Sequence, residues 1–146
     1  MPKFVFRLQN YLELKEKMEV QRKMEYGLAV SELEKQRKEE ERLSRERSYT
    51  TQAFRREISG NLIPKKTENY NDYLRWLKRA LEDQKKIIQK AQAEVERRRA
   101  ILVEAMKDRK ALEVLREKRY EEYLREERVA EQKIVDEIVS YRYSQR

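Results

Sequence analysis

In the second half of the chain, Leu74, Leu81, Ile88, Val95 and Leu102 recur every seven residues. Leu77, Gln84, Ala91, Arg98 and Ala105 come three positions after each of them. A 3-4 spacing sustained over about five heptads predicts an α-helix with one seam turned toward a partner helix. The seam is expected to fail at Arg109, Arg116 and Arg119, moving to Leu112, Leu115, Tyr120 and Tyr123 and resuming as Ala130, Ile134, Ile138 and Tyr141. Such a shift reads as a change of supercoil or of partner. The first half is thinner. Phe4, Leu8, Tyr11, Leu14 and Met18 step by 4, 3, 3 and 4, Leu28 and Leu33 continue the stripe, and Phe54 and Ile58 close it. Between Glu34 and Gln52 only Leu43 and Tyr49 are substantially apolar.

Punctuation divides the two patterns. Gly60 suits the residue after a helix because it accepts a positive φ, and Pro64 holds Ile63 out of the α region. Thr67, Asn69 or Asn71 can each cap the second helix, and no Gly or Pro occurs from there to Tyr143. The expected architecture is all-α: a single rod-like domain over residues 1–146, with helix 1 about 4–58, a loop about 59–70 and helix 2 about 71–143. So short a loop folds the helices back as an antiparallel coiled-coil hairpin. A pivot at mid-loop sets Phe54 level with Leu74, Leu33 with Val95 and Met18 with Leu112. The longer C-terminal helix then overhangs by some 15–20 residues, or 25–30 Å at ~1.5 Å per residue. Its unmatched stripe reads either as a helix end that wants another protein or as a fraying helix end.

Composition narrows the class. Of 146 residues, 36 are Lys or Arg and 28 Asp or Glu, so 44% carry charge and the net is +8. Gly and Pro number two each, too few for the turns of a many-stranded β fold. Leu, Ile, Val and Phe make 33 residues, close to the ~20% below which chains stay disordered, so patterning has to decide for the helices. Glu34/Lys38, Glu41/Arg45, Glu82/Lys86, Glu94/Arg98 and Glu121/Arg125 stand at i,i+4 in the favourable order, each contributing a few tenths of a kcal/mol. There is no Cys and no His, which removes thiolate chemistry, disulfides and imidazole ligands. No stretch approaches the ~20 apolar residues of a transmembrane helix, and no secretory signal peptide is expected.

No residue set carries catalysis. Carboxylate runs such as Glu39-Glu40-Glu41 and Glu121-Glu122 read as solvated faces, and two isolated glycines make no phosphate-binding loop. The expectation is a protein that is no enzyme and has no cofactor and no metal. Arg97-Arg98-Arg99, Lys65-Lys66 and Arg55-Arg56 could meet phosphates, yet acids are interspersed and no basic block precedes a zipper, so no dedicated nucleic-acid role is expected. After the loop, Tyr73, Leu77, Ala80 and Gln84 share a face at i, i+4, i+7 and i+11, while Trp76 lies on another. Tip packing is the bland account. Trp and Tyr are favoured interface anchors, so the cluster is read as a docking face.

Three blocks resemble a known family. Phe4-Val5-Phe6-Arg7-Leu8-Gln9 with Tyr11, Leu12 and Leu14 looks like the N-terminal signature of the flagellar export stalk family FliJ. Asn69-Tyr70-Asn71-Asp72-Tyr73-Leu74-Arg75-Trp76-Leu77 resembles its post-loop segment. Lys110-Ala111-Leu112-Glu113-Val114-Leu115-Arg116-Glu117, then Glu131-Gln132-Lys133 and Asp136-Glu137-Ile138, are similar to its C-terminal blocks. The resemblance spans essentially the whole chain. It implies a coiled-coil stalk of the flagellar type III export apparatus, acting in flagellum biogenesis, motility and chemotaxis, in the cytoplasm and peripherally at the cytoplasmic face of the cell membrane. It implies as partners the flagellar export ATPase ring, the cytosolic domain of the export gate protein and export chaperones. By position, Phe4, Leu8, Tyr11, Ala130, Ile134 and Ile138 would face the ATPase, and Tyr73, Leu77, Ala80 and Gln84 the gate. The alternatives are a structural coiled coil binding nucleic acid or anionic membrane through its basic surface, and the equivalent stalk of a virulence-type secretion system.

Overall fold

Pro64 decides where the second helix begins. As the first residue of a helix it loses nothing, because that N–H has no intrahelical acceptor, and its fixed φ is already helical. In the computed structural model, which describes residues 3–60 and 63–145, α1 spans Gln9–Ile58 and α2 spans Pro64–Ser144, 50 and 81 residues long. No strand occurs among the described residues, and the fold is an all-α helical hairpin whose second helix is the longer. The connection is therefore shorter than the loop of about 59–70 that the capping residues suggested. Thr67 does not cap: its hydroxyl donates to the Ile63 carbonyl 3.3 Å away, which also accepts the Thr67 and Lys66 amides.

Gly60 does not adopt the left-handed cap expected of it, since no described residue has a positive φ. The last carbonyls of α1 are satisfied otherwise. The Ser59 hydroxyl donates to Arg56 at 2.8 Å, and the Ser59 and Gly60 amides donate to Arg55 and Glu57 at 3.2 Å each. Helix 1 also starts later than position 4. Residues 3–8 precede the helix, the Gln9 amide closes onto the Phe6 carbonyl, and helical bonding proper begins with Leu12 on Leu8.

Contacts gather the chain into two compact units, Arg22–Leu102 and Met1–Gln21 with Val103–Arg146. Within Arg22–Leu102, the helices run antiparallel and the α2 seam is the one the heptads predict. Leu77, Leu81, Gln84, Val95 and Leu102 are buried, with Leu74, Ile88, Ala91 and Arg98 half-buried. From α1 it meets Leu33, Leu43 and Thr50, with Arg22, Tyr26, Ala29, Gln36 and Phe54 at the margins. The α1 side thus mixes apolar and polar residues, and two of the polar ones, Gln36 and Glu25, pair across the seam. Gln84 Nε2 donates to the Gln36 carbonyl at 2.8 Å and to its side-chain oxygen at 2.9 Å. Arg98 reaches Glu25 at 3.0 Å and Glu94 at 2.8 Å, and Arg22 adds a second cation to Glu25 at 3.1 Å. Phe54 lies against Tyr70, with ring centroids 5.4 Å apart, so its partner is one turn nearer the loop than Leu74. The shorter connection moves the pivot and with it the register.

In the other unit, Phe6, Leu12 and Leu112 form a buried cluster flanked by Phe4 and Leu115. Leu112 therefore packs on Leu12, where a longer loop would have set it level with Met18. The seam also does not fail at Arg109. Arg109 stays in heptad register, half-buried, and its guanidinium is shared between Glu19 and Glu113. Both carboxylates hold Arg109 protonated beyond its ordinary range, Glu113 more strongly than Glu19. A cation at a seam position is tolerated because α1 supplies a carboxylate, only 8% exposed, at the facing position. The inward residues of α1 here are Leu12, Lys15 and Glu19, while Leu8, Tyr11 and Leu14 of the expected stripe point outward. The stripe misplaced the core because it was phased on Phe4, which lies before the helix.

Candidate functional site

The terminal surface is built by segment 3–8 laid against α2. Phe4 packs edge-on against Tyr120 at 5.2 Å between ring centroids and tilted against Tyr123 at 5.6 Å, and the two tyrosines stack on each other at 6.3 Å. Burial, then the neighbouring Glu127 carboxylate and Tyr120, push the Tyr123 phenol above its usual range. A groove of about 710 Å³ opens beside these rings, with Leu8, Leu115 and Arg119 in its walls. Beyond it every residue from 128 to 145 is exposed. Ala130, Ile134, Ile138 and Tyr141 succeed one another there at 4, 4 and 3 residues, as the sequence predicts. A second apolar line, Val135, Val139 and Tyr143, runs on another side of the same segment, where a single-seam pattern does not anticipate it. Of the six residues assigned to this end, Phe4 is half-buried and structural to the aromatic cluster. Leu8, Tyr11, Ala130, Ile134 and Ile138 are open.

The loop-proximal cluster divides differently. Leu77 is 0% exposed, packed with Leu43 and Leu81, and Ala80 lies against the same group. Gln84 is consumed by its bonds to Gln36. Only Tyr73 presents a large surface. Its ring stacks nearly parallel to Trp76 at 5.9 Å, and its hydroxyl donates to Glu46 at 3.0 Å. That hydrogen bond raises the phenol's pKa, with burial and the Glu46 charge adding to it. Tyr73, Leu77, Ala80 and Gln84 do share a side of α2, as their spacing implies, but it is the seam side. Trp76, assigned from the sequence to a different face, joins Tyr73 because a stack bridges i to i+3.

Among the described residues no group of three or more Asp or Glu is arranged to hold a metal ion. The chain is thus of the all-α helical-hairpin class, with exposed apolar and aromatic residues at the two places described and at others along both helices. Comparison with known proteins gives that class a family: the chain belongs to the flagellar FliJ protein family, matched over residues 4–146. It is a component of flagellar protein export. No curated protein and no solved structure matches the chain. No described helix is long and apolar enough to cross a membrane.

Proposed function

We propose that this protein is the stalk of the flagellar type III export machinery, binding the export ATPase ring by its terminal end and reaching the membrane export gate by its loop end. Export chaperones are further partners of the same stalk, and its place is the cytoplasmic face of the cell membrane. The observation that carries the reading is the stretch 128–144 of α2, a helix with its apolar residues exposed beyond the last contact from α1. A helix so composed buries that stripe only against another protein. With Leu8 and Tyr11 it supplies the ATPase contact.

At the loop end, Tyr73 is the gate contact, and Leu77, Ala80 and Gln84 hold the helix beneath it. Binding of purified export ATPase and of the gate's cytosolic domain tests both halves. Removal of residues 128–146 is expected to abolish ATPase binding and spare gate binding, and Tyr73→Ala with Trp76→Ala is expected to do the reverse. Leu77→Ala is unsuitable here because it opens the core. ATPase affinity unchanged by the truncation rejects the terminal assignment, and gate affinity unchanged by the tip variant rejects the other.

A further inference from the structure

The net charge is not spread along the chain. Residues 47–90 hold eleven Lys and Arg against five Asp and Glu, a surplus of six out of the chain's eight. All eleven cations are exposed, and none of them forms an ion pair among the described residues, unlike Arg22, Arg42, Arg97, Arg98, Arg109 and Arg119 elsewhere. Four of them, Arg75, Arg79, Lys86 and Lys90, step by 4, 7 and 4, which sets them in one line along the side of α2 turned away from Leu77 and Leu81. Trp76, 57% exposed, and Ile87 flank that line, and Ile58 and Ile63 stand exposed at the two sides of the connection.

We propose that this face of α2, with Ile58 and Ile63 beside it, binds the surface of an anionic phospholipid bilayer. Long cationic side chains in a line, with Trp and Ile beside them, suit the headgroup boundary: the ammonium and guanidinium groups meet lipid phosphates while the indole and the aliphatic stems enter the interface. A run of four to eight such cations on a helix is the signature of attraction to anionic leaflets. Duplex nucleic acid would neutralise the cations equally but has no use for Ile58, Ile63 and Ile87, and Glu82 within the line and Asp72 and Asp83 beside it would oppose its fixed phosphates. In a fluid bilayer the anionic lipids redistribute around those three carboxylates. The inference goes beyond the stalk reading and does not rest on it, because the partner is lipid alone.

Trp76, the only tryptophan of the chain, is a built-in reporter. Vesicles of phosphatidylglycerol and phosphatidylcholine in equal parts, titrated into the full chain at about 0.1 M salt, should shift its emission to the blue, and vesicles of phosphatidylcholine alone should not. Raising salt to about 0.5 M, which shortens the Debye length to a few ångströms, should release the protein. In co-sedimentation, the fourfold variant Arg75→Glu, Arg79→Glu, Lys86→Glu, Lys90→Glu is expected to bind at least about tenfold more weakly. A second variant, Lys17→Glu, Lys23→Glu, Lys118→Glu, Arg125→Glu, has the same net charge and should bind nearly as the parent does. Circular dichroism verifies that both remain helical. Equal weakening of the two variants, equal binding to zwitterionic vesicles, or no binding to the anionic ones overturns the proposal. So does displacement from vesicles by duplex DNA at equal phosphate concentration, which would make nucleic acid the partner.

Discussion

At the scale of single residues, the molecule depends on a few side chains that have no alternative partner. Leu77 has no exposure and packs with Leu43 and Leu81, with Leu74 and Ala80 against them. Leu77→Ala should cost about 2–4 kcal/mol, read from urea denaturation monitored by circular dichroism, and a loss below about 1 kcal/mol would mean that the helices close over the gap. Glu94 is a different case. Arg97 at 2.9 Å and Arg98 at 2.8 Å hold its carboxyl down to about 2 from an ordinary 4.5. A carboxyl with a lowered folded-state pKa adds stability that is complete above the unfolded value and is lost as the pH falls through the folded one. The window is therefore from about pH 4.5 down to about 2. Glu94→Gln should flatten the acid side of a melting-temperature profile in that interval and leave its slope near neutrality unchanged. A parallel acid limb in parent and variant would show that the Arg97 and Arg98 contacts do not persist in solution.

Among the helices, what the sequence made legible was decided by which residues have a unique place. The heptads from Leu74 to Leu102 fix the α2 seam because branched apolar side chains have one favourable side, and they lie where the spacing sets them. The α1 seam was not legible between residues 12 and 36. Glu19, Arg22, Glu25 and Gln36 look like surface residues until Arg109, Arg98 and Gln84 are brought opposite. Their burial results from pairing across the hairpin, which no local pattern encodes. The same holds for the candidate gate residues: the spacing of Tyr73, Leu77, Ala80 and Gln84 gave the side of the helix, and only the facing α1 residues, Leu43 and Gln36, show that this side is closed. Ion pairs were equally opaque. Of the five Glu-first i,i+4 pairs, only Glu94 and Arg98 form an ion pair among the described residues; Arg45 donates to the Glu41 backbone carbonyl instead, while Glu39 and Glu122 take arginines three residues away. The stretch after Arg128 was the most legible, since its stripe has no counterpart on α1. Because nothing packs on it, deletion of residues 128–146 should leave the melting temperature within about 2 °C of the parent. A larger fall would mean that the segment supports the rest.

For the molecule as a whole, the connection between the helices has a consequence in time. The unit Arg22–Leu102 is continuous in sequence and folds about a connection of five residues. The other unit is assembled from both ends of the chain, across the 81 residues of the first. Closing a flexible loop of that length in place of the short one costs about 2–3 kcal/mol more in chain entropy. Contacts such as Phe6 with Leu112 are therefore reached only after the turn has zipped the helices together. Opening should run in the reverse order. In native-state hydrogen exchange, the amides of residues 12–18 and 104–112 are expected to lose protection together, at lower denaturant than those of 36–52 and 74–90; simultaneous loss would make folding all-or-none. Emerging from the ribosome, the N-terminal arm waits unpaired until the second helix has been made. During synthesis its exposed Phe4 and Phe6 are the residues most in need of a chaperone.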